Sequence, residues 1–246
     1  MNSNLESILI SLNLSWIRQH IDEEVANAVR KTLPHHEFIE RLLQGELEQR
    51  NARALLRRIK QAKLPKRTTL SDFDFNWPEK INADQIRHLF TLKFMKQNAN
   101  VVFIGNVGLG KTHLAQALIF MACEQRVNTI FASAATIINE LTNARQIGTF
   151  SKILKRYVYI PLLAIDELGY LPVDKLGAEF LFQVLAGRYE KASTIITTNR
   201  PYNQWNKTFA NDNAMTTAVL DRVVHHCETI IIEGQSYRLK NRVNYQ

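Results

Sequence analysis

The sequence contains few of the residues that mark several classes of protein. Its 246 residues include only two cysteines, six prolines and nine glycines. So few cysteines exclude a disulfide framework and favour a reducing compartment, and so little proline and glycine excludes a collagenous or low-complexity chain. No apolar run approaches the ~18 residues that span a bilayer, and the first residues lack the basic start and apolar core of a signal peptide. We therefore expect a globular, cytoplasmic protein with no membrane-spanning segment.

The positive charge of the chain is concentrated in one segment. There are 31 Lys and Arg against 23 Asp and Glu, a formal net charge of +8. Residues 50–67 hold eight of the basic residues and no acidic residue, so the rest of the chain balances at 23 against 23. If residues 47–63 form a helix, a rotation of about 100° per residue places four cations within an arc of about 80°. These four are Arg50, Arg53, Arg57 and Lys60. Such a face suits the phosphates of double-stranded DNA, and the alternatives are a solvated face or one that docks an acidic partner protein.

Two hydrophobic patterns divide the chain. From residue 5 to about 63, apolar residues recur at three- and four-residue steps, which predicts helices, with Pro34 as an interruption. After residue 69, five short β-branched runs alternate with amphipathic stretches near residues 111–125, 134–156, 174–190 and 212–227. This alternation predicts a parallel five-stranded sheet flanked by helices. We therefore predict an α/β domain over residues 68–246, preceded by a small all-helical domain over residues 1–67 that binds DNA or a partner.

A glycine-rich segment after the first predicted strand matches a phosphate-binding pattern. Residues 105–112 read Gly-Asn-Val-Gly-Leu-Gly-Lys-Thr and fit G-x-x-x-x-G-K-[ST], between a predicted strand and a predicted helix. In such a P-loop, backbone N–H groups surround the phosphates and the helix N-terminus adds a positive field. Lys111 is expected to reach the β- and γ-phosphates of ATP, and Thr112 to bind Mg²⁺. The predicted nucleotide-binding residues are Gly105, Asn106, Val107, Gly108, Leu109, Gly110, Lys111 and Thr112.

Polar residues also end two later strands of the predicted sheet. Asp166 and Glu167 follow the run from Leu162 to Ile165, and Asn199 follows the run that begins at Thr194. Asp166 is expected to hold Mg²⁺, and Glu167 to polarise the attacking water as a general base. An amide at Asn199 can orient that water, although it can equally serve to turn the chain. The acidic pair favours hydrolysis of ATP over transfer to a small acceptor, and the guanine-reading pattern Asn-Lys-x-Asp does not occur.

Together, these motifs resemble those of an AAA+ ATPase, and the surrounding residues resemble the IstB family of insertion-sequence transposition helpers, relatives of the helicase loader DnaC. The matching stretches are residues 70–75, 105–112, 166–172, 198–201, 220–227 and 234–238. The resemblance implies that Asn199 is a γ-phosphate sensor and that Arg222 is an arginine finger for a neighbouring subunit. A finger acting in trans implies a ring or helical homo-oligomer. Arg238 resembles a second sensor, but only eight residues follow it, so we expect no C-terminal helical lid.

The resemblance also implies a function and two partners. The implied function is that of an ATP-dependent DNA-binding ATPase that oligomerises on double-stranded DNA and assists an insertion-sequence transposase. The alternative is a DnaC-like loader that acts on a replicative helicase through protein contacts. DNA-facing loops of this clade lie between the second and third strands, where residues 143–161 contain no acid. Further DNA contacts are therefore expected at Lys152, Lys155 and Arg156.

Two remaining groups have a functional and a structural interpretation. His225, His226 and Cys227, with Glu228 beside them, contain metal-ligating side chains, but adjacent ligands on a helix point in diverging directions, so we favour packing. The aromatic residues Phe73, Phe75 and Trp77 precede the sheet. They form either a wall for adenine or a closure of the sheet, and for any single one of them packing is favoured.

Overall fold

A computed structural model describes residues 3–237. The chain forms two compact units, the first ending at Arg57 and the second beginning at Arg58. This division falls within a helix, ahead of the junction near residue 67 that the change in sequence pattern indicates. The assignment of DNA or partner binding to residues 1–67 stays a prediction.

The first unit is helical. Helix α1 covers Ser3–Ser11 and α2 covers Ser15–Lys31, while α3, His35–Ala62, continues past the end of the unit. Apolar side chains from the three helices meet in a small core: Leu9, Ile17, Ile21 and Leu42. The buried carboxylate of Glu46 accepts the N–H groups of Trp16 and Ile17 at 2.8 and 3.3 Å. Because the first N–H groups of a helix have no partner within it, this carboxylate stabilises the start of α2.

The second unit is built on the predicted five-stranded parallel sheet. Its strands are β1 (Asn100–Gly105), β2 (Thr129–Ser133), β3 (Leu162–Leu168), β4 (Ser193–Thr198) and β5 (Cys227–Ile232). They pair in the order β2-β3-β4-β1-β5, and every pairing is parallel. The prediction of five parallel strands is confirmed. All six residues of β4 are buried, as expected for a strand covered on both faces.

Helices cover the sheet. They are α4 (Ala83–Leu89), α5 (Lys111–Glu124), α6 (Ala134–Gln146), α7 (Phe150–Tyr159), α8 (Lys175–Arg188) and α9 (Asn213–Val224). Most of α5 is buried, which is the expected environment of the helix that follows a P-loop. No helix in the described part of the chain is both long enough and apolar enough to cross a membrane.

The stretch predicted as amphipathic over residues 134–156 forms two helices rather than one. The chain turns between α6 and α7 at Gly148, whose φ is +73°. A residue with a side chain adopts this left-handed conformation at a cost, so the glycine favours the break. The break lets α7 pack as a separate helix against α6 and α8.

Candidate nucleotide-binding site

Three strand ends bring the predicted site residues to one edge of the sheet. Strand β4 lies between β1 and β3. The P-loop follows β1, Asp166 and Glu167 lie in β3, and Asn199 follows β4. Since the strands are parallel, their carboxyl ends meet at the same edge, where ligands bind in sheets of this type.

The P-loop has the backbone shape that phosphate binding requires. Gly108 and Gly110 have φ values of +83° and +86°, in the left-handed region that favours glycine. Gly110 immediately precedes α5, and a Cβ there would collide with the Phe73 ring. Lys111 is only 9% exposed, and its Nζ donates to the Asn106 carbonyl at 2.7 Å. The ammonium group therefore lies within the curve of the loop.

Asp166 is the acceptor for two hydroxyl groups from different elements. It is 7% exposed. Its Oδ1 accepts from Thr112 Oγ1 at 2.9 Å and from Thr197 Oγ1 at 2.5 Å. The first bond joins β3 to the P-loop helix, and the second joins it to β4. One carboxylate oxygen thus fixes the relative positions of the two predicted Mg²⁺ ligands, Thr112 and Asp166.

A β-bulge gives the side chains of the two acidic residues different environments. The pairing of β3 with β4 shifts between Ile165 and Leu168, so that two residues of β3 lie opposite Thr197. Glu167 adopts φ +58°, and its N–H donates to Thr197 Oγ1 at 2.9 Å. The bulge turns the Glu167 side chain to an exposed position, whereas Asp166 stays buried. Bulges next to active sites re-aim side chains in this way.

A small cleft of about 120 Å³ lies beside the P-loop at this edge of the sheet. Glu167 and Asn199 line it together with Lys111 and Thr112. Asn199 is exposed at the end of β4. With Val107 and Gly108, which also line it, the cleft brings together six of the residues for which the sequence predicts a role in binding or hydrolysis.

A larger adjoining cleft of about 390 Å³ extends from the P-loop to the segment before the sheet. Two of the three aromatic residues singled out from the sequence, Phe73 and Trp77, line this cleft, as does Tyr237. Phe75 lies behind, edge-on to the Phe73 ring at 4.9 Å. The Tyr237 N–H donates to the Gly108 carbonyl at 2.9 Å. The chain after β5 thereby reaches the P-loop and forms one side of the cleft.

The donor set fits a magnesium ion. A hydroxyl at Thr112 and a carboxylate at Asp166 are hard oxygen ligands of the kind that Mg²⁺ takes beside nucleotide phosphates. Their 2.9 Å separation allows both oxygens, directly or through water, to face one ion.

The predicted arginine finger lies elsewhere. Arg222 is on α9, where its Nη1 donates to the Ala218 carbonyl at 2.7 Å and its guanidinium lies 5.7 Å from the Phe182 ring centroid. It is not among the described residues that line either cleft. A role at this chain's own nucleotide is therefore not indicated. The predicted second sensor, Arg238, lies outside the described residues.

The four cations predicted to form a basic face on α3 fall into two pairs with different contacts. Arg50 pairs with Glu46 at 3.1 Å and donates to the Asn13 carbonyl at 2.9 Å, and Arg53 donates to Ser15 Oγ at 2.7 Å. These two arginines therefore also stabilise the helical unit. Arg57 and Lys60, by contrast, are exposed and form no ion pair with any residue that the structure describes.

The basic residues of α7 are divided in the same manner. Lys152 and Lys155 are exposed, three residues apart on one face of the helix. Arg156 instead pairs with Glu140 at 2.6 Å, and Glu140 also binds Lys63 and the Tyr157 hydroxyl. Burial raises the pKa of the Glu140 carboxyl, but the hydrogen bonds from Lys63 and Tyr157 and the charge of Arg156 together lower it below its usual value. The Arg156 guanidinium is thus engaged in an ion pair within the chain.

Two residues of the site were missed by sequence reasoning. Thr197 holds both acidic residues of β3, and Arg200 Nε donates to the Gly169 carbonyl at 2.6 Å, just beyond the bulge. The role of each residue depends on how β3 and β4 lie side by side. Thr197, for example, contacts both acidic residues because β3 bulges opposite it. The available sequence signal is the run Thr197-Thr-Asn-Arg200 at a strand end, in which the motif pattern indicates a chemical role for Asn199 alone.

Comparison with known proteins agrees with this geometry. The profile of a family described as IstB-like ATP binding protein matches residues 7–244. A Pseudomonas aeruginosa protein named for insertion sequence IS21 and for ATP binding is 37% identical over 238 residues, covering 97% of this chain and 89% of that protein. A similarly named protein of insertion sequence IS232 from Bacillus thuringiensis subsp. berliner is 36% identical, covering 98% of this chain and 94% of its own length.

Solved structures share the fold at lower sequence identity. The crystal structure of the DnaC helicase loader has a TM-score of 0.57 and 22% identity, and the match covers 68% of this chain and 97% of that one. The replication initiator DnaA, bound to AMPPCP and single-stranded DNA, has a TM-score of 0.60 and 18% identity over 74% of this chain. This chain spans 56% of the DnaA chain. The likeness shows that the fold is shared, a parallel sheet flanked by helices, as the sequence predicts.

Proposed function

This chain belongs to the family of IstB-like ATP-binding proteins, and from that membership we propose that it is an ATP-hydrolysing, DNA-binding helper of an insertion-sequence transposase. The observation that carries the enzymatic part is the network around Asp166. There, Thr112, Thr197 and the Glu167 backbone are joined within hydrogen-bond distance beside the P-loop. A purely structural glycine turn would not need a buried carboxylate with two hydroxyl donors.

In the proposed reaction, each residue of the site has one task. The P-loop N–H groups and Lys111 bind the phosphates of ATP, and Asn199 orients the attacking water against the γ-phosphate. Glu167 takes up the proton of that water as it attacks, which yields ADP and phosphate. Thr112 and Asp166 would hold Mg²⁺, which would supply positive charge beside the phosphates. The larger cleft takes the base, with Phe73 and Trp77 as the candidate aromatic contacts.

The position of Arg222 supports a proposal of oligomerisation. Since it does not line the clefts next to the P-loop, a catalytic role requires that it reach the nucleotide of another subunit. Subunits that contact one another head to tail in this way form a ring or a helical filament. We propose such a homo-oligomer, assembled around double-stranded DNA when ATP is bound. Two free cysteines agree with a cytoplasmic location for it.

The DNA-binding part of the proposal rests on exposed cations. Arg57 and Lys60 on α3, and Lys152 and Lys155 on α7, are exposed and without ion pairs to described residues. We expect the double variant Arg57→Gln/Lys60→Gln to lower the salt dependence of DNA binding, with a slope of log K against log salt reduced by about 1.8. Fluorescence anisotropy with a duplex measures this.

A matched control is Arg50→Gln/Arg53→Gln, which removes the same charge from cations that have partners in the helical unit. We expect it to change the salt slope less and the stability of the unit more. Equal salt slopes for wild type and the Arg57→Gln/Lys60→Gln variant would remove α3 from the proposed DNA surface.

Assembly and partner are tested together. Size measurement by light scattering, with a duplex and the analogue AMPPCP, is expected to show a multimer that does not form without nucleotide. A monomer under all conditions would refute the oligomer. Binding of the assembled protein to an insertion-sequence transposase favours the proposed function, whereas binding to a replicative helicase alone favours the loader function.

A further inference from the structure

A second cluster of ligating side chains lies at the opposite edge of the sheet from the nucleotide. Glu190, His225 and His226 are exposed, and each offers one ligand atom within 4.8 Å of the other two. Glu190 lies in the turn between α8 and β4, and the two histidines lie in the turn between α9 and β5. Both turns lead into the amino ends of parallel strands, so this cluster is separate from the P-loop, which lies at the carboxyl ends.

The two histidines converge, contrary to the expectation from the sequence. That expectation placed them on a helix, where adjacent side chains diverge. In the structure, α9 ends at Val224, and the chain turns through His225 and His226 before β5. Their ring centroids are 4.2 Å apart. Cys227 is not part of the cluster, because its Sγ is near the Tyr202 and Thr229 hydroxyl groups.

The backbone around the cluster is held in place by the start of β1. The Asn98 side chain donates to the Glu190 carbonyl at 2.8 Å, and the Asn100 N–H donates to the His226 carbonyl at 2.7 Å. Tyr189 Oη lies 3.2 Å from His225 Nδ1. In the tautomer whose Nδ1–H donates to Tyr189 Oη, the imidazole is oriented and Nε2 is the ligand atom, an arrangement that recurs behind metal-bound histidines.

We propose that Glu190, His225 and His226 bind a zinc ion. Two neutral imidazoles and a carboxylate suit Zn²⁺, which binds them at about 2.0–2.2 Å, and water takes the fourth position. In such a tetrahedron the ligand atoms are ~3.3 Å apart, and rotation of exposed side chains closes the difference from 4.8 Å. The ion joins the turn after α8 to the turn after α9. It therefore braces the helix that carries Arg222, one turn earlier.

The proposal is tested by zinc binding to the full-length protein without nucleotide. After chelator treatment and dialysis against micromolar Zn²⁺, metal analysis is expected to find one zinc per chain. The variants Glu190→Gln, His225→Ala and His226→Ala are each expected to bind at least tenfold more weakly. Co²⁺ in place of Zn²⁺ is expected to give the visible absorption of a tetrahedral site in the wild type, and none in His226→Ala.

The chain supplies its own control. His35 and His36 are also adjacent and exposed, but they are not part of a three-ligand group among the described residues. The variant His35→Ala/His36→Ala is expected to keep full zinc binding. Absence of stoichiometric zinc in the wild type, or equal losses in the control and the His225→Ala variant, would overturn the proposal. Because no nucleotide is present, either result leaves the proposed ATPase function untouched.

Discussion

The role of the bulge in β3 can be tested by removing one hydroxyl group, that of Thr197. Its hydroxyl donates to Asp166 Oδ1 and accepts the Glu167 N–H, and the residue is 1% exposed. The substitution Thr197→Val keeps the shape of the side chain and removes both bonds. Nucleotide binding is expected to persist, because the P-loop does not depend on this hydroxyl, whereas hydrolysis is expected to fall.

The size of the effect follows from the lost bond to a carboxylate. A hydrogen bond to a charged group contributes about 1.5–3 kcal/mol. If that energy positions Asp166 and Glu167 in the transition state, kcat falls about ten- to a hundred-and-fifty-fold at 1.36 kcal/mol per factor of ten. The half-buried Glu167 N–H, left without an acceptor, lowers the free energy of unfolding by roughly 1–3 kcal/mol.

Phosphate release gives kcat, titration with a fluorescent ATP analogue gives the affinity, and urea denaturation gives stability. The control is Thr194→Val, a change on the same strand at a site equally buried, where the hydroxyl accepts from Arg188 instead. It is expected to lose stability but to keep its kcat. A Thr197→Val protein that hydrolyses ATP within twofold of the wild-type rate would show that the bulge contacts do not position the acidic pair.

Two further predictions concern the subunit contact and the core. If Arg222 acts in trans, the variants Arg222→Ala and Glu167→Gln are each inactive alone. A 1:1 mixture of the two is expected to regain about one quarter of the wild-type ATPase rate, because a quarter of the interfaces then pair an intact Glu167 with an intact Arg222. A mixture as inactive as its components would contradict a site shared between subunits. Arg188 is 1% exposed and donates to the carbonyls of Tyr157, Val158 and Ser193. Burial lowers the pKa of Arg188 to about 9. The variant Arg188→Met leaves those carbonyls unsatisfied and is expected to lower the free energy of unfolding by roughly 2–4 kcal/mol, measured by urea denaturation. An unchanged denaturation midpoint would contradict this prediction.

The fold was predictable because its signals are local. Each strand contains a short run of apolar or β-branched residues, and the P-loop residues are contiguous between β1 and α5. The acidic pair and Asn199 follow strands, and the parallel arrangement brings strand ends together whatever the intervening sequence. The location of these residues in one cleft therefore followed from sequence pattern and topology alone.

The features that were not predicted depend on contacts between distant residues. The bulge arises from the register between β3 and β4, and no local pattern around Glu167 encodes its φ of +58°. The charge count could not distinguish Arg50, which pairs with Glu46, from Arg57, which is exposed without a partner among the described residues. The convergence of His225 and His226 depends on α9 ending at Val224.

The central claim is that the acidic pair of β3 hydrolyses the nucleotide that the P-loop binds. The most direct measurement compares single-turnover ATP hydrolysis by the wild type and Glu167→Gln, with the affinity for ATP measured on both proteins. A general base contributes about a hundred- to ten-thousandfold, so we predict equal affinities and a hydrolysis rate lower by at least a hundredfold in the variant. Hydrolysis by Glu167→Gln at the wild-type rate, with ATP bound equally well, would contradict the claim.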